Sequence, residues 1–179
     1  MKLQHILLFS LFLILSACNK DTQTITVPGK YSLALPGSMV PTKDLNPEAS
    51  LQYQDKTREI YLIIIDEAKS EMGKALEKHM LQGQYTDNLN GYSELIMDGL
   101  ESSVSLDTIP QFRDTTINSL KAREMDIEGL TQGYHTYWKL AFIEGKDSYY
   151  QIMIWTQAAT KDDYSGEMAD IIASFKEID

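Results

Sequence analysis

Thiols are almost absent from this chain of 179 residues, whose one cysteine is Cys18. From Asn19 onward there is none, which excludes disulfide staples, cysteine-ligated zinc and a cysteine nucleophile there. His79 and His135 share no His-x-x-x-His or His-Glu spacing, so a zinc site would need acidic partners brought by the fold. Basic residues are few, 16 Lys and Arg against 26 Asp and Glu, for a net charge of −10. That balance excludes the basic stripe nucleic acid requires and the polybasic segment that lies flat on an anionic leaflet. It reads instead as solubility and repulsion from the membrane surface. Gly-x-Ser-x-Gly is missing, as are a phosphate-cradling glycine loop and the residue order of a calcium loop. Asp87-Asn-Leu-Asn-Gly91 approaches that order but puts Leu89 where an oxygen ligand is needed. Asp66–Glu67 and Asp162–Asp163 are the remaining cation candidates, and such pairs at strand ends and helix starts are mostly solvated or capping. No catalytic residue, cofactor or metal ligand set is therefore assigned, and the chain reads as a non-enzyme.

What is present begins with an address. Met1–Lys2 is a short positive start, Leu3 to Leu15 is a mostly apolar run, and Leu15-Ser-Ala-Cys18 closes it with small residues before the cysteine. This is the pattern of an export signal, and the run is too short for a permanent membrane span. Leu-Ser-Ala-Cys closely resembles the lipobox of bacterial lipoproteins. The resemblance implies cleavage after Ala17 and a lipid on Cys18, with residues 1–17 as signal peptide. Lys2 leaves with it, making the remainder still more acidic. Two acyl chains suffice for stable anchoring. Asn19 stands where an Asp would signal inner-membrane retention, so the resemblance implies the outer membrane, facing the periplasm or, by the Lys20–Asp21 pair, the cell surface. Residues 18–28 are polar and threonine-rich and read as a flexible tether. Residues 29–179 have the length of one domain, large enough to need no staple.

Within that domain, Tyr31 to Pro36 alternates and ends at a proline, as an edge strand does. Ser50 to Tyr53 reads as a second strand. Arg58 to Asp66 contains Ile60-Tyr-Leu-Ile-Ile-Ile65, apolar at odd and even positions alike, which suits a central strand covered on both faces. A helix is expected from about Glu71 to Gln82 on the stripe Met72, Ala75, Leu76, His79 and Met80, with His79 half-buried. A second follows on Leu89, Tyr92, Ile96, Leu100 and Val104, capped by Asp87. Leu120 to Ile127, Tyr134 to Glu144 and Ser148 to Thr156 form a meander, with Gly129 and Gly133 in its first turn. Its strands are two-sided: Trp138, Leu140 and Phe142 face one way, Tyr137, Ala141 and Ile143 the other. Thr160-Lys-Asp-Asp163 has the form of a capping box before a closing amphipathic helix through Phe175.

Four features together resemble the PsbP-like family, in particular its DcrB-like envelope lipoproteins. They are the opening strand Tyr31-Ser-Leu-Ala-Leu-Pro36, the buried strand near Ile63, the late strand pair ending in Trp155–Thr156, and the closing Ile171-Ile-Ala-Ser-Phe-Lys176. The resemblance spans roughly Lys30 to Ile178. It implies an α+β fold: an α/β/α sandwich around a mostly antiparallel six-stranded sheet flanked by helices. It also implies action through protein partners, with no catalytic motif to transfer.

The aromatic set Tyr134, Tyr137, Trp138, Tyr149, Tyr150 and Trp155 is the best binding candidate, with Tyr137, Tyr149, Trp138 and Trp155 expected to touch a partner, since tyrosine and tryptophan anchor interfaces. Asp107-Thr-Ile109 and Asp114-Thr-Thr116 resemble a three-residue O-glycosylation acceptor, which would place sugar on Thr108 and Thr115 in a loop between helix and meander. The expected function is a membrane-anchored, non-enzymatic accessory module that binds an envelope protein. The alternative is a carrier or sensor of a small apolar ligand.

Overall fold

The computed structural model describes residues 21–108 and 111–178. Residues 1–17, expected to be a signal peptide, and Cys18 lie outside the described residues. The chain folds as β1 (Thr22–Val27), β2 (Tyr31–Pro36), β3 (Val40–Pro41), β4 (Leu51–Asp55), β5 (Ile60–Ala68), α1 (Lys69–Lys78) and α2 (Leu89–Glu101). Then come β6 (Ser105–Leu106), β7 (Arg113–Ile117), β8 (Leu120–Thr131), β9 (Tyr134–Glu144), β10 (Ser148–Gln157), α3 (Lys161–Ala173) and β11 (Lys176–Glu177).

The two-sided strands do build the centre. An eight-stranded antiparallel sheet runs β3-β4-β5-β10-β9-β8-β6, and β7 shares the outer edge of β8. Because successive side chains point to opposite faces, each strand feeds two cores. Trp138, Leu140, Phe142 and Tyr149 pack under α1 and α2 with Met72, Leu76, Tyr92 and Met97. Tyr137, Ala141, Ile143 and Ile152 pack on the other face under α3 and β2, against Leu33, Met168, Ile172 and Phe175. Both faces of β5 are buried from Leu62 to Ile64, as its unbroken apolar run requires.

Several expectations need correction. The sheet has eight strands, not six, and a second sheet of three, β1-β2-β11, joins α3 over one face. Thr22–Val27, expected within a flexible tether, is a strand whose six residues pair with β2. Ile25 and Val27 pack against the core, and the Gln23 amide donates to the carbonyls of Pro36 and Met39 at 3.1 and 2.7 Å. Strand β7, Arg-Asp-Thr-Thr-Ile, has no apolar alternation to reveal it, and is an edge strand held by β8.

Helix α1 stops at Lys78 because Met80 adopts a left-handed φ of 57°. The N–H of Leu81 then bonds the Leu76 carbonyl at 2.8 Å, and that of Met80 the Glu77 carbonyl at 3.1 Å, the paired closure of a Schellman end. His79 and Met80 are consequently exposed rather than part of the buried stripe. Asn88, not Asp87, caps α2, accepting from the N–H groups of Asn90 and Gly91. The Thr160 hydroxyl does not cap α3; it donates to the Gln157 carbonyl at 3.1 Å. Gly129 lies inside β8, where a Cβ would stand 2.5 Å from the Ser105 carbonyl oxygen, and the turn is made by Gln132 and Gly133, both at positive φ.

Candidate functional site

Two features meet at the end of the large sheet where β8 turns into β9. The first is an aromatic groove. Tyr61 on β5 and Trp155 on β10 are direct cross-strand partners, and their rings stack at 5.5 Å and 21°. Two strands away Tyr134 opens β9 with 68% of its surface exposed. Between them Thr136 and Gln157 pair across β9 and β10, and the Gln157 amide donates to Glu59 at 2.7 Å. These side chains line an open cleft of about 410 Å³, floored by aromatic faces and rimmed by hydroxyl, amide and carboxylate groups. Aromatic bodies with polar tips suit a surface that contacts a partner while staying wet.

The second feature lies on the opposite face of the same strands. Glu128 of β8 stands opposite Tyr137 of β9, and His135 precedes Tyr137 by two residues on the same side. Asp107 follows β6, and its N–H bonds the Glu128 carbonyl at 2.9 Å. His135 Nε2 lies 2.5 Å from Asp107 Oδ2. One donor atom each from Asp107, Glu128 and His135 falls within 4.8 Å of the other two. Glu128 Oε1 also accepts from Lys161 at the start of α3, whose ammonium lies 5.1 Å over the Tyr137 ring. The hydrogen bond to Glu128 raises the lysine pKa, so its charge is secure at neutral pH. Burial, with the nearby charges of Asp126 and Glu128, pushes the Tyr137 hydroxyl up and keeps it protonated.

No family model matches the chain, and no curated protein matches it. Solved structures do. The solution structure of PsbP (CyanoP) from Synechocystis superposes with a TM-score of 0.56 at 11% identity, covering 91% of this chain and 96% of that one. The fold is PsbP-like. The Ran-binding protein Mog1p of Saccharomyces cerevisiae gives 0.54 at 10% identity, covering 89% of this chain and 97% of its own. LpqN of Mycobacterium tuberculosis, involved in cell envelope biogenesis, gives 0.53 at 6% identity, covering 89% and 91%.

On this PsbP-like scaffold the expected contact residues divide. Tyr137, Trp138 and Tyr149 are 1%, 5% and 3% exposed and belong to the two cores, which corrects their assignment as partner contacts. Tyr149 stacks on Tyr92 at 4.7 Å beneath α2. Trp155 alone of the four lines the groove. Tyr61 stands in an otherwise aliphatic run, Ile60–Ile65, whose members are buried except for half-buried Ile65, and only its stacking on Trp155 sets it apart. Thr108 is exposed after β6, whereas Thr115 belongs to β7 and pairs with Ala122, so it is not in a loop as expected; Ile109 lies outside the described residues. Asp66 is engaged by Lys30 at 2.7 Å, and Asp162 and Asp163 occupy the first turn of α3. The carboxylate–imidazole cluster was illegible because its members are separated in sequence and converge only through the β6–β8–β9 ladder.

Proposed function

We propose that this protein is a lipid-anchored accessory module of the bacterial envelope, held at the outer membrane through Cys18. In this reading it is not an enzyme, and it binds a protein partner along the Tyr61–Trp155–Tyr134 groove. The observation that carries the reading is that exposed Tyr134 and the stacked Tyr61–Trp155 pair line one open, polar-rimmed cleft. The lipobox residues support the anchor. The early start of β1 sharpens it: from Cys18 to Thr22 the chain reaches at most about 14 Å even fully extended, so an anchored domain would stay beside the bilayer. A partner would then be a membrane or membrane-proximal protein. Mog1p, a Ran-binding protein, agrees with a binding role on this fold, and LpqN, involved in cell envelope biogenesis, with an envelope setting.

The test places a photo-crosslinking residue at Tyr134 of the tagged full-length protein in native membranes. One dominant envelope protein, captured by the wild-type groove and lost with Trp155→Ala, is the expected outcome. Capture of background proteins alone, with a lipid or metabolite copurifying, would replace the reading with carriage of a small apolar ligand. Detergent partition of Cys18→Ser tests the anchor, with an uncleaved or soluble precursor expected; unchanged membrane partition refutes it.

A further inference from the structure

We propose that Asp107, Glu128 and His135 bind a divalent ion of the zinc class. Two carboxylates and an imidazole suit zinc and its neighbours in the transition series. Calcium and magnesium would call for six or more oxygens. The three donor atoms lie within 4.8 Å of one another. Zinc bonds of about 2.0–2.2 Å to nitrogen and oxygen set tetrahedral ligands roughly 3.3–3.5 Å apart. Reaching that spacing means opening the Asp107–His135 contact from 2.5 Å and bringing any wider pair in from at most 4.8 Å.

The backbone already holds the three together. Glu128 and His135 stand on hydrogen-bonded antiparallel strands, and Asp107 is fixed to Glu128 through its own N–H at 2.9 Å. Asp107 Oδ2 and His135 Nε2 already stand 2.5 Å apart, so the two ligands face one another where the ion would sit. Lys161 is the competitor for Glu128, but it occupies one oxygen, Oε1, and a carboxylate has lone pairs for a lysine and a cation together. The lysine also rests 5.1 Å over the Tyr137 ring, which gives its charge a second partner besides Glu128. His135 and Asp107 are 53% and 43% exposed, so the ion has an approach from solvent. Three protein ligands leave a fourth position for water.

The test titrates the full-length protein in detergent with Zn²⁺ against a chromogenic chelator. Saturable uptake of one ion per chain at micromolar concentration is expected. His135→Ala and Asp107→Asn should each weaken it about 10–100-fold, the range that even supporting partners of a metal site command. His79→Ala, the other histidine of the domain, should leave it unchanged. Cobalt should bind with the visible bands of a nitrogen–oxygen site. In the wild type, Zn²⁺ should shift the imidazole nitrogen resonances of His135 and not of His79, a readout that needs no variant to fold. No uptake, uptake that never saturates, or uptake indifferent to both substitutions means an adventitious ion only and overturns the proposal. A cobalt–thiolate band would move the ion to Cys18 with the same consequence.

Discussion

Replacing Tyr137 by alanine separates a core tyrosine from a contact tyrosine in one experiment. The ring is 1% exposed, opposite Glu128 on β8 and Thr156 on β10, and belongs to the cluster closed by α3 and β2. Removing a buried ring of this size costs about 3–5 kcal/mol, because the lost transfer energy is joined by the cavity left behind. For a domain of this length each kcal/mol moves Tm by about 2–4 °C, so the expected drop is roughly 6–20 °C. Against a total stability of about 5–15 kcal/mol that is a large share. Tyr134→Ala, three residues earlier, removes a ring that is 68% exposed, and should change stability by no more than about 0.5 kcal/mol. Urea denaturation and thermal melts followed by circular dichroism measure both variants, and chemical crosslinking in membranes, with no probe at position 134, measures capture by each. The expected pattern is opposite: Tyr137→Ala unstable for reasons unrelated to binding, Tyr134→Ala stable but impaired in capture. A Tyr137→Ala protein with native Tm, or a Tyr134→Ala protein that melts as early, would refute the division of the aromatic set.

Gly91→Ala should destabilise by about 1–3 kcal/mol or more, since the new methyl collides with the backbone of Thr86 at the entrance to α2, which a urea titration would register. Met80→Gly should stabilise by about 0.5–1 kcal/mol in the same assay, because Met80 is 89% exposed and pays for its left-handed φ of 57° with no packing in return. Asp55 gives a pH signature. Burial opposes its ionisation, but hydrogen bonds from Ser38 and the N–H groups of Arg58 and Thr57, together with the Arg58 charge, outweigh burial and hold its carboxyl below the usual range. The unfolded chain therefore binds this proton more readily, so the stabilisation is complete at neutral pH and fades as pH falls below the unfolded value of ~3.9. The stability gap between wild type and Asp55→Asn should be clear at pH 7 and shrink progressively in acid; a gap that stays constant contradicts the assignment.

The local code carried much of this fold. The apolar run Ile60–Ile65 specified a strand with two buried faces, and the parity of residues 137–143 sorted Trp138, Leu140 and Phe142 from Tyr137, Ala141 and Ile143, because strand periodicity is a property of the backbone. Periodicity says which side a residue faces and not what covers it, so six aromatics looked alike until α2 and α3 closed over three of the four singled out and left Trp155 at the rim. Strand β7 had no such pattern to show, and the short alternation Thr24-Ile-Thr-Val27 of β1 sits in a polar, threonine-rich stretch; both are held by pairing with a neighbouring strand. The helix boundaries likewise turned on single backbone choices, the left-handed Met80 and the Asn88 cap, that compete closely with their neighbours. Sequence alone carried the resemblance of Leu15-Ser-Ala-Cys18 to a lipobox, the acidic balance and the two-faced central strands, all of which are local or compositional. Tertiary structure alone decided the groove and the meeting of Asp107, Glu128 and His135, because each is made of residues that only the ordering of strands in a sheet brings within reach.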